Sequence, residues 1–536
     1  MRKFVLYTIL ILFSFILTSV SFVKKDEVKL AKSYLDLSFS KLGEFKAGTF
    51  LNKQAINAFF KKYPKLSLYK SDVVQLYANK KYKFIWYENN QLTSFSELLY
   101  SKINSIEEEG LQLNIGYKEI IDGIFNSNLD VKKLSESETD IMISSMYVFY
   151  INEVFNGLDA DKLKEIGWLL PKKKLVYESL LDSLLQQSEL LSVNERIQTA
   201  QYYKLRKALK KYREIEKMQD WEPIEYDSTM NYKPLDNSNT IKQIRHRLMM
   251  MGDLSQDSKS TVYDEELIKA VLHFKKRNGY NNDPVITPWH IKKMNLPIEE
   301  YVRKIEINME RCRWFDPKLT QAPEYVMVNI PAFELIYNKN RETLLKSNIV
   351  VGQDMMETVI FNGYISSIVF SPYWYVPQSI IENEFKSKMK EDENFLSSRN
   401  MEWNNGQIRQ KPGKDNALGL VKFVFPNTSS IYLHDTPMKA LFDLEYRAFS
   451  HGCINMEKAK ELAFLILKDD PDWPESRINE AMNGEIETPC QLKTRIPIYI
   501  GYFTVWVDDE EMIHFYDDIY ERDIKLSSLL FKNSNN

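Results

Sequence analysis

Cysteine and histidine are scarce in this chain of 536 residues, and charge of one sign is lacking. Each shortage excludes something. Three cysteines at this length rule out a disulfide scaffold; either Cys312 and Cys490 pair and leave Cys453 free, or all three are thiols. Of the six histidines, His246, His273 and His290 stand singly, without metal-ligand spacing, so no metal site and no cofactor is expected. A net charge of −3 offers none of the concentrated basic surface that nucleic-acid binding needs. Length sets the opposite bound: the chain exceeds one ordinary core, so three or more domains are expected.

What is present begins with an uncharged apolar run over 4–23, behind Arg2 and Lys3. It is long enough to cross a bilayer as a helix and has the positive start of a membrane-targeted segment. Ser19-Val20-Ser21 also fits a cleavage site, so residues 1–25 are either a removed signal peptide or a retained anchor, and the rest is expected to be exported.

Residues 26–235 read as a helical domain poor in glycine, with Ala55, Phe59, Phe60, Leu180, Leu181, Leu184 and Leu185 at helical core spacing. Three short helices follow in 236–297. Thr240 is read as the cap of the first, which ends near Gly252; Asp264 starts the second, with Gly279 past its end; Thr287-Pro288 opens the third. A charged linker helix occupies 298–322. From 323 to 507 apolar and polar residues alternate with period two, giving strands at 325–330, 333–337, 348–351, 365–370, 421–425, 430–433 and 496–507, with a hairpin turn at Asn338-Lys339-Asn340. The prediction is a multidomain α+β fold whose last large domain is a mostly antiparallel β-sandwich or barrel-like sheet, trailed by an extension over 508–536. Residues 380–411 interrupt the strands with a charged helical stretch and an asparagine-rich segment, either a lid or a surface excursion.

Two histidines and one cysteine concentrate in Tyr432-Leu433-His434-Asp435-Thr436-Pro437 and Phe449-Ser450-His451-Gly452-Cys453-Ile454-Asn455. A thiol becomes a useful nucleophile when a base takes its proton and positive potential stabilises the thiolate. His434 and His451 supply candidate bases. Asn455 is read as the cap of a helix with the apolar stripe Ala459, Leu462, Ala463 and Ile466, which puts Cys453 just before a helix N-terminus. Gly452, without a Cβ, lets an acyl carbonyl approach the N–H groups of this turn.

The run Ser450 to Asn455, with His434-Asp435-Thr436-Pro437 upstream, resembles the signature of the L,D-transpeptidase catalytic domain of bacterial cell-wall enzymes. Residues 324–352, 362–377, 409–425 and 496–523 resemble the large, multidomain, periplasmic branch of that family. Phe84-Ile85-Trp86-Tyr87, Gly110-Leu111, Ile151-Asn152-Glu153 and Asp159-Ala160-Asp161 resemble its scaffold domain. Residues 236–297 resemble a peptidoglycan-binding domain. There Asp283-Pro284-Val285-Ile286-Thr287 departs from the usual loop, and both glycan binding and structural support stay open. Two further departures are Asn455, where this branch usually has arginine, and Cys312, where it usually has tryptophan.

The resemblance implies roles. Cys453 would be the nucleophile and His434 the base, its ring held by the backbone carbonyl of Asp435; His451 would assist or shape the turn, and the N–H groups of Gly452 and Cys453 would stabilise the oxyanion. The donor would be the tetrapeptide stem of peptidoglycan, cut between its third residue, a diamino acid, and the terminal D-alanine. A side-chain amine on a neighbouring stem would accept, cross-linking two third residues. Asn416, Lys422 and Arg447 are candidate polar contacts for such stems and Trp374 a candidate apolar wall. Partners would be peptidoglycan stem peptides and glycan, with carbapenem β-lactams as inhibitors and the inner membrane if the anchor is retained. Two rivals remain: a cysteine hydrolase trimming the same stems, and a catalytically silent wall-binding scaffold.

Overall fold

The computed structural model describes residues 50–126, 133–168, 176–194 and 196–531; the apolar run over 4–23 lies outside them. Among the described residues no helix is long and apolar enough to cross a membrane.

The N-terminal helices pack around a core of their own that contains Phe59, Phe60, Leu180, Leu181 and Leu184. Ala55 is half-buried against it. Leu185, expected in that core, is 39% exposed, because its helix, Tyr177–Gln186, ends one residue later. The hub is helix α1, Glu136–Tyr150, opened by a capping box in which Ser135 and Glu138 satisfy each other's backbone N–H groups. Helix α2, Ala200–Met218, leads out of this domain.

The three short helices follow. In α3, Asn239–Met251, the cap is Ser238, whose side chain accepts from the Ile241 N–H. Thr240, expected in that role, instead donates its hydroxyl to the Glu225 carbonyl at 2.8 Å. Gly252 ends α3 in the left-handed region, at φ +91°. Asp264 caps α4, Glu265–Arg277, and Thr287 caps α5, Pro288–Met294. His246 sits between Asp220 and Asp257, His273 on Asp253, and His290 inside the capping box of α5.

Helix α6, Ile298–Trp314, is charged in sequence yet buried on nearly every side. Its charges are paired rather than solvated: Arg313 with Glu310 at 2.7 Å, Glu306 with Arg213 on α2, and Arg311 with Asp523 near the C-terminus, both at 2.5 Å. Breaking one partner of a buried pair costs several kcal/mol, on the order of 3–5, so this helix holds α2 and the segment at Asp523 to itself.

The sheet is built from β1 (Glu324–Asn329), β2 (Glu334–Lys339), β3 (Glu342–Gly352) and β4 (Phe361–Phe370), then β8 (Val421–Val424), β9 (Leu433–His434), β10 (Ala448–Ser450), β11 (Ile454–Met456) and β12 (Thr488–Gly501). Between β4 and β8 lie the inserted strands β5 (Trp374–Tyr375), β6 (Met401–Asn404) and β7 (Gln407–Gln410). The order β10-β3-β11-β9-β8-β4-β12-β1-β2 returns on itself, because β2 also pairs with β3. Eight of the strands therefore form one closed ring rather than the two facing sheets of a sandwich, and β10 is attached to β3 alone. The cause is the length of β3: its first half pairs with β2 and its second half with β11 and β10, so one strand turns the corner. Three pairings, β9–β11, β10–β3 and β12–β1, are parallel. Asn340 and Arg341, both at positive φ, make the two-residue turn between β2 and β3.

Residues 374–411 form a small subdomain. Strands β5, β7 and β6 make a three-stranded sheet, and Val376, Ile380, Phe385, Phe395, Met401 and Ile408 are buried against one another. The asparagine-rich segment is thus a hairpin, with Asn405 and Gly406 at positive φ in its turn. After β12, strand β13 (Val505–Val507) pairs with β14 (Ile513–Phe515) across position 508, and helix α8, Arg522–Leu530, packs on α6; α7, Ala459–Leu467, lies between β11 and β12.

Candidate active site

Strand register assembles the site. His434 on β9 lies opposite Lys422 on β8 and beside Asn455 on β11. Alternation along a strand keeps Tyr432 on the same side as His434, and Cys453 on the same side as Asn455. The Tyr432 and His434 rings are 5.6 Å apart between centroids, and the Ile454 N–H donates to the Tyr432 carbonyl at 3.2 Å, which sets Cys453 against Tyr432.

His434 is buried, and its Nδ1 is 2.5 Å from the Asp435 carbonyl oxygen. A carbonyl only accepts, so Nδ1 carries the hydrogen and Nε2 is bare. Burial lowers the imidazole pKa to about 4, against the pull of the Asp435 carbonyl and with the help of the Lys422 cation. The ring is neutral at neutral pH. Burial likewise raises the Cys453 thiol, while the backbone N–H and phenol of Tyr432 both donate to the sulfur and draw it back. Thiol and imidazole therefore both rest neutral at neutral pH.

The turn itself is held from behind. Gly452 has φ +101°, a conformation that favours glycine, and the Ser450 hydroxyl donates to the Cys453 carbonyl at 2.6 Å. The Thr358 hydroxyl donates to the Gly452 carbonyl at 3.0 Å and accepts the Gly352 N–H at 2.8 Å; the Tyr520 phenol donates to the Gly352 carbonyl at 2.5 Å and accepts the Thr358 N–H. Asp435 anchors the other end. Its carboxylate accepts from the Leu420 N–H and from Lys439, and Gly419 must be glycine there, since a Cβ would lie 2.4 Å from Asp435 Oδ2.

Several expectations need correction. Asn455 is part of β11 and caps nothing; α7 starts at Ala459 behind Lys458, with no side-chain cap. A helix field fades within a turn, so the thiolate is supported by Tyr432 instead. The Gly452 N–H already donates to the Ser450 hydroxyl at 3.2 Å, and the Cys453 N–H is the one without a partner among the described residues. Among the described residues none of the three cysteines is in a disulfide, so Cys312 and Cys490 do not pair. His451 points outward, 2.9 Å from Glu384 of the inserted subdomain.

Of the four substrate candidates, the structure brings only Lys422 to the His434 face, where it also approaches Glu487 at 3.5 Å. Trp374 packs against Phe385 in the subdomain core. Asn416 is 1% exposed, and its amide is engaged by backbone at Pro372, Lys411 and Leu418, closing the base of the subdomain. Arg447 donates to the Leu444 and Phe333 carbonyls and lines a separate cleft. Sequence reasoning passed over Tyr432, Thr358 and Tyr520, whose partners are distant in the chain or, for Tyr432, on the neighbouring strand. Among the described residues no group of three or more His, Cys, Asp or Glu is placed to hold a metal ion.

Residues 323–475, which hold this geometry, match the model of the L,D-transpeptidase catalytic domain, and residues 71–209 match that of a scaffold domain. Residues 323–475 therefore belong to the L,D-transpeptidase catalytic-domain family. A Haemophilus influenzae protein named "Putative L,D-transpeptidase" is 29% identical over 252 residues, covering 42% of this chain and 50% of that protein, so the match spans half the length of this curated relative. Among solved structures, the L,D-transpeptidase of Mycobacterium smegmatis is 12% identical (33% of this chain, 58% of the other, TM-score 0.20). That of Stackebrandtia nassauensis is 13% identical (52% and 98%, TM-score 0.21). Superpositions this loose bear on neither fold nor site.

Proposed function

We propose that the chain is a cysteine-dependent acyltransferase that cross-links peptidoglycan stems through a thioester. The observation that carries this reading is the His434 ring, fixed by the Asp435 carbonyl with Nε2 bare, on the strand beside the Cys453 turn. His434 Nε2 takes the thiol proton and the sulfur attacks the amide carbonyl between the third residue and the terminal D-alanine. A C–S bond forms, the C–N bond breaks, and D-alanine leaves with the proton from His434. The side-chain amine of a second stem then attacks the thioester, forming the new amide and releasing the thiol, to which the amine's proton returns by way of His434. The Cys453 N–H, and the Gly452 N–H once it leaves Ser450, face the developing oxyanion; each such donor is worth about a hundredfold or more in rate. Lys422 supports stem carboxylates. The residues 374–411 act as a lid, and the three-helix unit as glycan support. The apolar run over 4–23 supports work in the periplasm, which a compartment-specific reporter fused after Lys25 checks directly.

The deciding experiment incubates the protein with defined tetrapeptide stems and identifies products by mass spectrometry. Free D-alanine together with stem dimers is expected. D-alanine with only trimmed stems would assign the hydrolase, and no product from folded protein would leave the silent scaffold.

A further inference from the structure

On the outer face of β1, β2 and β3 lies a cleft of about 940 Å³, closed on its other sides by the start of α2, the loop after α4 and the β13–β14 hairpin. It includes neither Cys453 nor His434. Tyr325, Met327 and Asn329 line it, while the alternate residues Val326 and Val328 fill the ring. The volume is at the upper end for a ligand pocket.

Two observations mark it as built for a ligand. First, Lys276, Arg341 and Lys346 line it and form no ion pair among the described residues. Glu334 sits half-buried among them, equally unpaired, its carboxyl raised by burial although Lys346, His514 and Arg447 oppose the shift. Second, two wall atoms, Asn338 Oδ1 and Arg447 Nε, are buried without a hydrogen-bond partner among the described residues, and Asn338 is only 8% exposed. Buried polar groups are almost always satisfied, and leaving one bare is costly. The cleft also touches the chemistry through the backbone. Its remaining wall is the segment between His434 and Cys453, with Phe442, Leu444 and Glu445 facing it, and the Glu445 carboxylate accepts the Asn281 N–H from the loop after α4.

We propose that this cleft binds a second stretch of peptidoglycan, an N-acetylated sugar chain with its acidic, amine-bearing peptide, while another stem occupies the thiol site. This rests on reading the Cys453 site as a peptidoglycan acyltransferase. The chemistry matches on each side. Lys276, Arg341 and Lys346 take peptide carboxylates, Glu334 takes the amine, and Asn338, whose Oδ1 is unsatisfied, takes an amide or hydroxyl group.

The test is calorimetric titration of the full chain in detergent, as Cys453→Ala, with a purified disaccharide-tetrapeptide. Two molecules per chain are expected. Adding Arg341→Glu and Lys346→Glu, both at exposed positions, should remove one of them or weaken it at least tenfold, and Lys276→Glu, on a different element, should act in the same direction. Titrating the tetrapeptide and the disaccharide separately assigns the gain to peptide or sugar. With Cys453 intact, the charge-reversed protein should react with a carbapenem within twofold of the parent rate. Loss of that reaction in parent and variant alike would sink the thiol reading and leave the titration to judge the cleft. One binding event, or two that charge reversal leaves unchanged, would overturn the proposal.

Discussion

Around Cys453 the chain runs in β10, paired with β3, and β11, paired on both edges, with Thr358 and Tyr520 bracing the turn from behind; residues 374–411 pack around six side chains of their own and reach the motif through the exposed contact of His451 with Glu384. The two regions differ in what their loosening costs. Freeing the Cys453 turn breaks buried bonds through Thr358 and Tyr520, whereas parting the insertion from that turn gives up one solvent-exposed pair while its base stays tied by the Asn416 and Gln410 amides. Cys453 and His434 both lie outside the insertion. His451, in the signature but facing the insertion, falls between the two.

The sharpest way to break this comparison is to remove the base. His434→Ala should slow carbapenem acylation of Cys453, read by intact-protein mass, by about a hundredfold or more, whereas His451→Ala should stay within a few-fold. Equal losses would erase the distinction between ring and insertion. Next in size is acid. His434, lowered to about 4, stays neutral and able to accept a proton well below the ordinary histidine range, so acylation should show no inflection near 6.5 and should collapse only as pH falls toward 4. Stability follows the same sign. The unfolded chain binds protons at His434 and at His290, also lowered to about 4, that the folded chain refuses, so stability present above 6.5 is lost as pH falls from 6.5 through 4. An acid melt series in which the melting temperature is flat from pH 7 to pH 4 would contradict this.

Smaller effects sharpen the picture. Tyr432→Phe keeps the ring and removes one donor to the sulfur, so thiol alkylation measured against pH should shift to higher pH and acylation should fall about tenfold, the worth of one hydrogen bond to a charged group. Glu384→Gln should change acylation by less than about fivefold, because an exposed pair is worth only about 0.2–1 kcal/mol. A large effect there would make the insertion part of the catalytic machinery rather than its cover.

Local signals in the sequence were reliable where the structure is local. Asp264, Gly252 and Thr287-Pro288 sit where capping chemistry put them, and period-two alternation located β1, β2, β4 and β8. Thr240 lost the cap to Ser238, two residues away, because several hydroxyls compete for one helix start. The helix after Cys453 forms over Ala459–Leu467 as expected, but its cap at Asn455 failed for a nonlocal reason: β3 and β9 capture residues 454–456 as a strand, and pairing on both sides outweighs a capping preference. Ring closure was invisible for the same reason, since nothing in the sequence of β3 announces that its two halves pair with different partners. At the site, Cys453 and His434 were legible as rare residue types in a tight motif. Thr358 and Tyr520 were not, because a threonine and a tyrosine are common and only folding brings them to the turn.

Tyr520 lies beyond every residue of the signature, yet its hydroxyl is shared between the Gly352 carbonyl and the Thr358 N–H, and Thr358 in turn holds the Gly452 carbonyl. During synthesis, a chain halted short of Tyr520 already carries Cys453 and His434 but lacks the keystone of the bonds behind the Cys453 turn. That turn is thus completed only when residues far beyond it have emerged.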